Sequence, residues 1–87
     1  MASDLSLSLY PNPASENAHL TYTLTKSGSV SVKIFDVNGK LVSDLLNETQ
    51  NEGAQMLDVN TSSLSKGVYM VMLNVNDTRT IKRLIVQ

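Results

Sequence analysis

The chain contains no cysteine and no tryptophan, and it has two prolines and four glycines in 87 residues. Without cysteine there is no disulfide, no thiolate metal site and no thiol nucleophile. Aromatic residues are scarce: Tyr10, Tyr22, Phe35 and Tyr69 are all of them, so a core has to be assembled from Leu, Val, Ile and Met. Charge is equally thin, at 17% of residues and a net of −1. Lys and Arg are scattered, with no basic stripe to neutralise a run of phosphates, so nucleic acid is not an expected partner. No basic amphipathic stretch suits a membrane surface, and no apolar run approaches the ~18 residues of a spanning helix.

What is present is 41% hydrophobic, an ordinary globular fraction, in a length that suits one domain. A chain of this size buries roughly 60–65% of its unfolded surface, which supports one modest core and leaves little room for a catalytic cavity. Met1-Ala2-Ser3-Asp4 lacks the basic and apolar regions of a secretory signal. Read plainly, that suggests a cytosolic protein; the alternative is a fragment of an exported one.

Turn signals recur at the ~8–12-residue spacing of a sandwich or barrel. Between them lie segments of period two. Leu5, Leu7 and Leu9 alternate with Ser6 and Ser8; Leu20, Tyr22 and Leu24 with Thr21, Thr23 and Thr25; Val30, Val32 and Ile34 with Ser31 and Lys33. Each reads as a half-buried strand. Asn38-Gly39 predicts a type I′ hairpin from a strand ending near Asp36 to one beginning at Lys40. Leu41 to Leu46 is less clean, because Leu41-Val42 and Leu45-Leu46 also suit a short helical turn; strand is the preferred reading. Asn47 to Gly53 reads as a polar loop, Gln55 to Val59 as a strand with Leu57 and Val59 inward, and Thr61 to Lys66 as a loop with one helical turn over Leu64. Val68 to Val75 is almost continuously apolar, which suggests a strand covered on both faces or meeting a partner; a central strand is preferred. Asn76-Asp77 is a tight turn, and Thr80 to Val86 a final strand that ends the chain, suited to a sheet edge. The expected fold is all-β: an Ig-like, Greek-key sandwich of about seven antiparallel strands.

Few residues invite chemistry. His19 is the sole histidine, in a strand between Ala18 and Leu20; an outward-facing strand residue is preferred over a ligand or general base. No Gly-x-Ser-x-Gly elbow accompanies the serines, and no phosphate loop or dinucleotide glycine pattern is found. Asn74, Asn76 and Asp77 offer hard oxygens for calcium, but Asp77 is the one nearby carboxylate and an Asx-type turn is the simpler account. Asn-x-Ser/Thr triplets begin at Asn47, Asn60 and Asn76 and carry little weight. No catalytic residue, metal or cofactor is expected.

Four segments, taken together and in order, resemble a known family. They are Leu9-Tyr10-Pro11-Asn12-Pro13, Phe35-Asp36-Val37-Asn38-Gly39-Lys40, Leu64-Ser65-Lys66-Gly67-Val68-Tyr69 and Lys82-Arg83-Leu84-Ile85-Val86. Their spacing, ending at the terminus, is similar to the type A C-terminal sorting domain of type IX secretion substrates of Bacteroidetes. Physically each is a folding device: Pro11 and Pro13 remove two backbone donors and fix two φ angles, and Gly39 and Gly67 answer to backbone geometry. The resemblance implies a fragment whose residues 1–4 are added or linker residues and whose residues 5–87 form the domain. It implies a non-catalytic signal, carried by an N-terminal cargo through the periplasm and outer membrane to the cell surface or medium. Its partners would be a shuttle or translocon protein and a surface sortase cutting around Ala2 to Leu5 or in preceding polypeptide. Partner recognition would involve Pro11, Asn12 and Pro13; Asn38, Gly39 and Lys40; Gly67 and Tyr69; and Lys82, Arg83, Leu84, Ile85 and Val86. Many members end in a basic residue, whereas this chain ends in Gln87. The competing expectation is a fibronectin- or Ig-like adhesion or carbohydrate-binding module, which would need exposed coplanar aromatics. Exposed strand edges also raise a homodimer of the isolated domain.

Overall fold

The computed structural model describes residues 7–14 and 16–87. Its strands are β1 (Ser8–Tyr10), β2 (Asn17–Leu24), β3 (Gly28–Asp36), β4 (Leu41–Gln50), β5 (Gly53–Asn60), β6 (Gly67–Val75) and β7 (Thr78–Val86). They form two sheets, ordered β1-β2-β5 and β4-β3-β6-β7, with every strand pairing antiparallel. The all-β sandwich is therefore as the period-two segments predict. Here β4 pairs with β3, whereas the fourth strand of a constant-type immunoglobulin domain pairs with the fifth.

Alternation builds the core directly. Ala18, Leu20, Tyr22 and Leu24 of β2 are buried against Val30, Val32 and Ile34 of β3, Tyr69, Val71 and Leu73 of β6, and Leu84 and Val86 of β7. Leu7 and Leu9 pack against this cluster from the β1 side; Leu5 and Ser6 of that expected strand lie outside the described residues.

Several local expectations need correction. β4 runs through Asn47–Gln50, which the polar composition marked as loop. Backbone pairing does not require apolar side chains, and Gly28–Ser31 of β3 take Gln50–Asn47 as their partners. Leu41-Val42 and Leu45-Leu46 belong to β4, in keeping with the preferred strand reading. The register jumps from Lys33↔Asp44 to Val32↔Leu46 and from Phe35↔Leu41 to Ile34↔Ser43, so Leu45 and Val42 are extra residues in two bulges. The β3–β4 turn is not type I′. The Gly39 N–H donates to the Asp36 carbonyl at 3.0 Å and Gly39 alone has positive φ, 82°, the pattern of a type I turn followed by a left-handed residue. Thr61–Lys66 holds a single turn, with the Leu64 N–H donating to the Thr61 carbonyl, and no helix. Finally, β6 is central, between β3 and β7, yet it is covered on one face only: Val68 and Met70 are exposed on the other.

Candidate functional site

The four motif-bearing segments meet at one end of the sandwich. β3 ends where β6 begins, Asp36 opposite Tyr69, and β7 ends there too, with Gly67 opposite Val86 and Tyr69 opposite Leu84. The β3–β4 turn projects from the same end. The Pro11–Pro13 segment closes the row from the far side of β7. Both of its prolines follow cis peptide bonds.

Asn12 makes that closure. Its Nδ2 donates to the Arg83 carbonyl at 2.8 Å, and its Oδ1 accepts the Ile85 N–H at 3.0 Å. Ala14 continues the pairing: its N–H donates to the Ile85 carbonyl and its carbonyl accepts the Gln87 N–H, both at 2.8 Å. A side-chain amide and one buried alanine thus imitate a short parallel strand on the edge of β7. On the β3–β4 turn, Asp36 Oδ1 accepts the N–H groups of Asn38 and Lys40 at 2.9 and 3.0 Å. At the start of β6, the Tyr69 hydroxyl donates to the Ser65 carbonyl at 2.7 Å.

The expected recognition residues divide by burial. Tyr69, Leu84 and Val86 face the core; Gly67 and Ile85 are half-buried. Pro11, Asn12, Pro13, Asn38, Gly39, Lys40, Lys82 and Arg83 are exposed. The sequence reading passed over Asp36 and Ala14. An Asp opening a turn is a readable signal for the first; a lone Ala before a polar stretch gives none for the second.

Elsewhere the chemistry is sparse. His19 stands on the outer face of β2 with its Nδ1 2.7 Å from Asp58 Oδ1 and the Tyr10 ring 5.5 Å away. Asn76, φ 53°, does not cap its own turn: its Oδ1 accepts the Ser29 N–H at 3.1 Å on neighbouring β3. A cleft of ≈ 300 Å³ lies at the opposite end, lined by Leu24, Lys26, Val75 and Asp77 among others. Among the described residues no three His, Asp or Glu side chains cluster as a metal site would. Tyr22 and Tyr69 are buried and Phe35 half-buried, which leaves Tyr10 as the one largely exposed aromatic among the described residues. A sugar-stacking platform needs more than that.

The assembled end is made by the segments that carry the family resemblance, and residues 8–87 match the family model described as the secretion system C-terminal sorting domain. The chain belongs to this family. It is a type IX secretion sorting domain, a signal for export toward the outer membrane and cell surface. A comparison with curated proteins finds no match. Among solved structures, the sorting domain is similar to part of dimeric latent PorU from Porphyromonas gingivalis, with a TM-score of 0.72 and 24% identity over 92% of this chain. It spans 9% of the PorU chain, and the likeness is one of fold.

Proposed function

We propose that the sorting domain is a non-catalytic address, read in its folded state at the end where the motif segments converge. The observation that carries this reading is the clamp of Asn12 and Ala14 on β7. It joins the first motif to the last, at an end of the sandwich where Pro11, Pro13, Lys82 and Arg83 are all exposed. In this reading Tyr69, Leu84 and Val86 hold that surface from beneath, while the exposed members and the β3–β4 turn meet a shuttle or translocon protein. A surface sortase then cuts ahead of β1, around Ala2 to Leu5 or in polypeptide that precedes them, and releases the cargo from its label.

The test is an export assay. Residues 1–87 are fused behind a periplasm-targeted fluorescent protein in a host with a working type IX system, beside a translocon-deleted strain. Surface and medium fluorescence that is absent in the deletion strain is the expected result. A folded fusion retained in the periplasm of both strains overturns the reading.

A further inference from the structure

A sheet edge is a row of backbone donors and acceptors with which an extended segment can pair. The sandwich has four outer strands, and they are not equally open. β1 is three residues long. β4 is twisted by its two bulges and carries exposed Asp44 and Glu48. β5 is unbroken from Gly53 to Asn60, with Asp58 on it, Glu52 just before it and no cation.

β7 is half covered. Asn12 and Ala14 take up the Arg83 carbonyl, both backbone groups of Ile85 and the Gln87 N–H. Backbone groups on one side of a strand recur every second residue. The Arg83 N–H, and the N–H and carbonyl of Ile81 and Arg79, therefore face the same open side, and among the described residues nothing pairs with them there.

The charge on this strand has one sign. Arg79, Lys82 and Arg83 are exposed, β7 carries no acid, and none of the three enters an ion pair among the described residues. Asp77 in the adjoining turn is the nearest acid in sequence. Beside the edge, on the outer face of the sheet, lie Ile81 (53% exposed), Val68 and Met70. An incoming strand would meet open backbone, apolar side chains and an uncompensated positive row together.

We propose that the open half of β7, from Arg79 to Arg83, is a docking edge for an extended acidic segment of another protein, added as a fifth strand to the four-stranded sheet. Charge decides against a second copy of the domain. An isologous β7–β7 pairing would set three cations against three, and β5 offers Asp58 alone within its length. Asn12 bounds the site at one end and the Asn76-Asp77 turn at the other, so the added strand is short. The inference deepens the sorting reading by naming the chemistry of the partner, while its own test does not depend on export.

The isotope-labelled domain is titrated with a capped peptide of alternating Glu and Val, and separately with one of alternating Lys and Val. The expected result is a saturable shift of the Ile81 and Arg83 amides with the Glu peptide, slowed hydrogen exchange at both, and at least tenfold weaker binding in high salt. The Lys peptide should leave both amides unmoved. Ile81→Pro removes an edge donor without removing a β6 ladder bond and should weaken binding at least tenfold. If that variant folds poorly, Arg79→Glu with Arg83→Glu tests the charge instead, with at least a tenfold loss for the Glu peptide. Shifts confined to β5, binding indifferent to these variants, or a concentration-dependent oligomer that protects Ile81 and Arg83 would each overturn the proposal. None of those outcomes touches the export assay, which judges the sorting reading alone.

Discussion

Asn12 and Ile85, 73 residues apart, are joined by an Asn12 Oδ1 that accepts the Ile85 N–H at 3.0 Å while the same side chain donates to the neighbouring Arg83 carbonyl. With the main chain of Ala14, this amide ties the first motif to the last strand. Asn12→Ala removes a donor and an acceptor at once and should cost about 1–2 kcal/mol, since each net hydrogen bond contributes ~0.5–1.5 kcal/mol. Asn12→Asp keeps the acceptor for the Ile85 N–H but sets a carboxylate oxygen against the Arg83 carbonyl, and should cost at least as much as Asn12→Ala. Urea unfolding gives the energies. Hydrogen exchange should show the Ile85 amide released in Asn12→Ala before the β6 amides are.

Leu84 and Arg83 are neighbours with different duties. Leu84 is fully buried and Arg83 is exposed. Leu84→Ala should cost ~2–5 kcal/mol through lost burial and the cavity left behind, whereas Arg83→Ala should stay within ~0.5 kcal/mol. In the export assay, both are expected to lower secretion. Cooling or a compensating stabilising substitution should restore Leu84→Ala and leave Arg83→Ala defective. If cooling restores both, Arg83 has no part in recognition.

Thr61 is fully buried, and its Oγ1 has no hydrogen-bond partner among the described residues. An unpaired buried hydroxyl costs ~1–3 kcal/mol. Thr61→Val keeps the shape and removes the cost, and should raise stability by about 1 kcal/mol. Thr61→Ser keeps the hydroxyl, loses the methyl and should lower it. The pair of denaturation midpoints decides the matter.

The Tyr22 hydroxyl is pushed above its ordinary value by burial; the Gln50 hydrogen bond works against that rise and the nearby Glu48 carboxylate adds to it. A folded-state value above the unfolded one means that the folded domain holds this proton more tightly. The stabilisation is complete below about pH 10, the unfolded tyrosine value, and is lost as pH rises through the folded value. The thermal midpoint should fall above about pH 10. Tyr22→Phe should be less stable at neutral pH, having lost the bond to Gln50, and should show a shallower alkaline decline. Equal declines in the two proteins would refute the assignment.

Gly28 and Gly39 are needed for different reasons. Gly39 sits at φ 82°, with open space where a Cβ would lie, so Gly39→Ala is penalised by backbone strain alone, about 1–2 kcal/mol. At Gly28 a Cβ would come within 2.6 Å of the Asn76 amide, so Gly28→Ala should displace that side chain and break its bond to Ser29. Gly39→Asn should be milder than Gly39→Ala, because Asn tolerates the left-handed region. Gly28→Asn should be worse than Gly28→Ala.

The strands of the core were legible because one apolar face imposes period two, as in β2 and β3. β4 was ambiguous for a reason that the structure supplies. Two bulges put Val42 and Leu45 out of step, and the resulting apolar pairs imitate helical spacing. The polar half of β4 looks like loop in the sequence because its pairing is made by backbone, which leaves no mark on side-chain composition. Asn38-Gly39 marks the place of the turn and not its type, because the Asp36 carboxylate caps it and within it Gly39 alone takes positive φ. Among the candidate recognition residues, alternation sets Arg83 apart from buried Leu84 and Val86, but it puts Lys82 on their face although Lys82 is exposed.

By itself, then, the sequence determined the class of fold, the face each core residue turns inward and the family to which the chain belongs, since these follow from local periodicity and ordered motifs. The tertiary fold added edges at β1, β4 and β5 to the one expected of the last strand, covered half of β7, and brought four segments spread along the chain to one end. Those outcomes depend on long-range pairing with β7, made by the Asn12 side-chain amide and the Ala14 main chain, and local periodicity carries no record of which distant strand such groups meet.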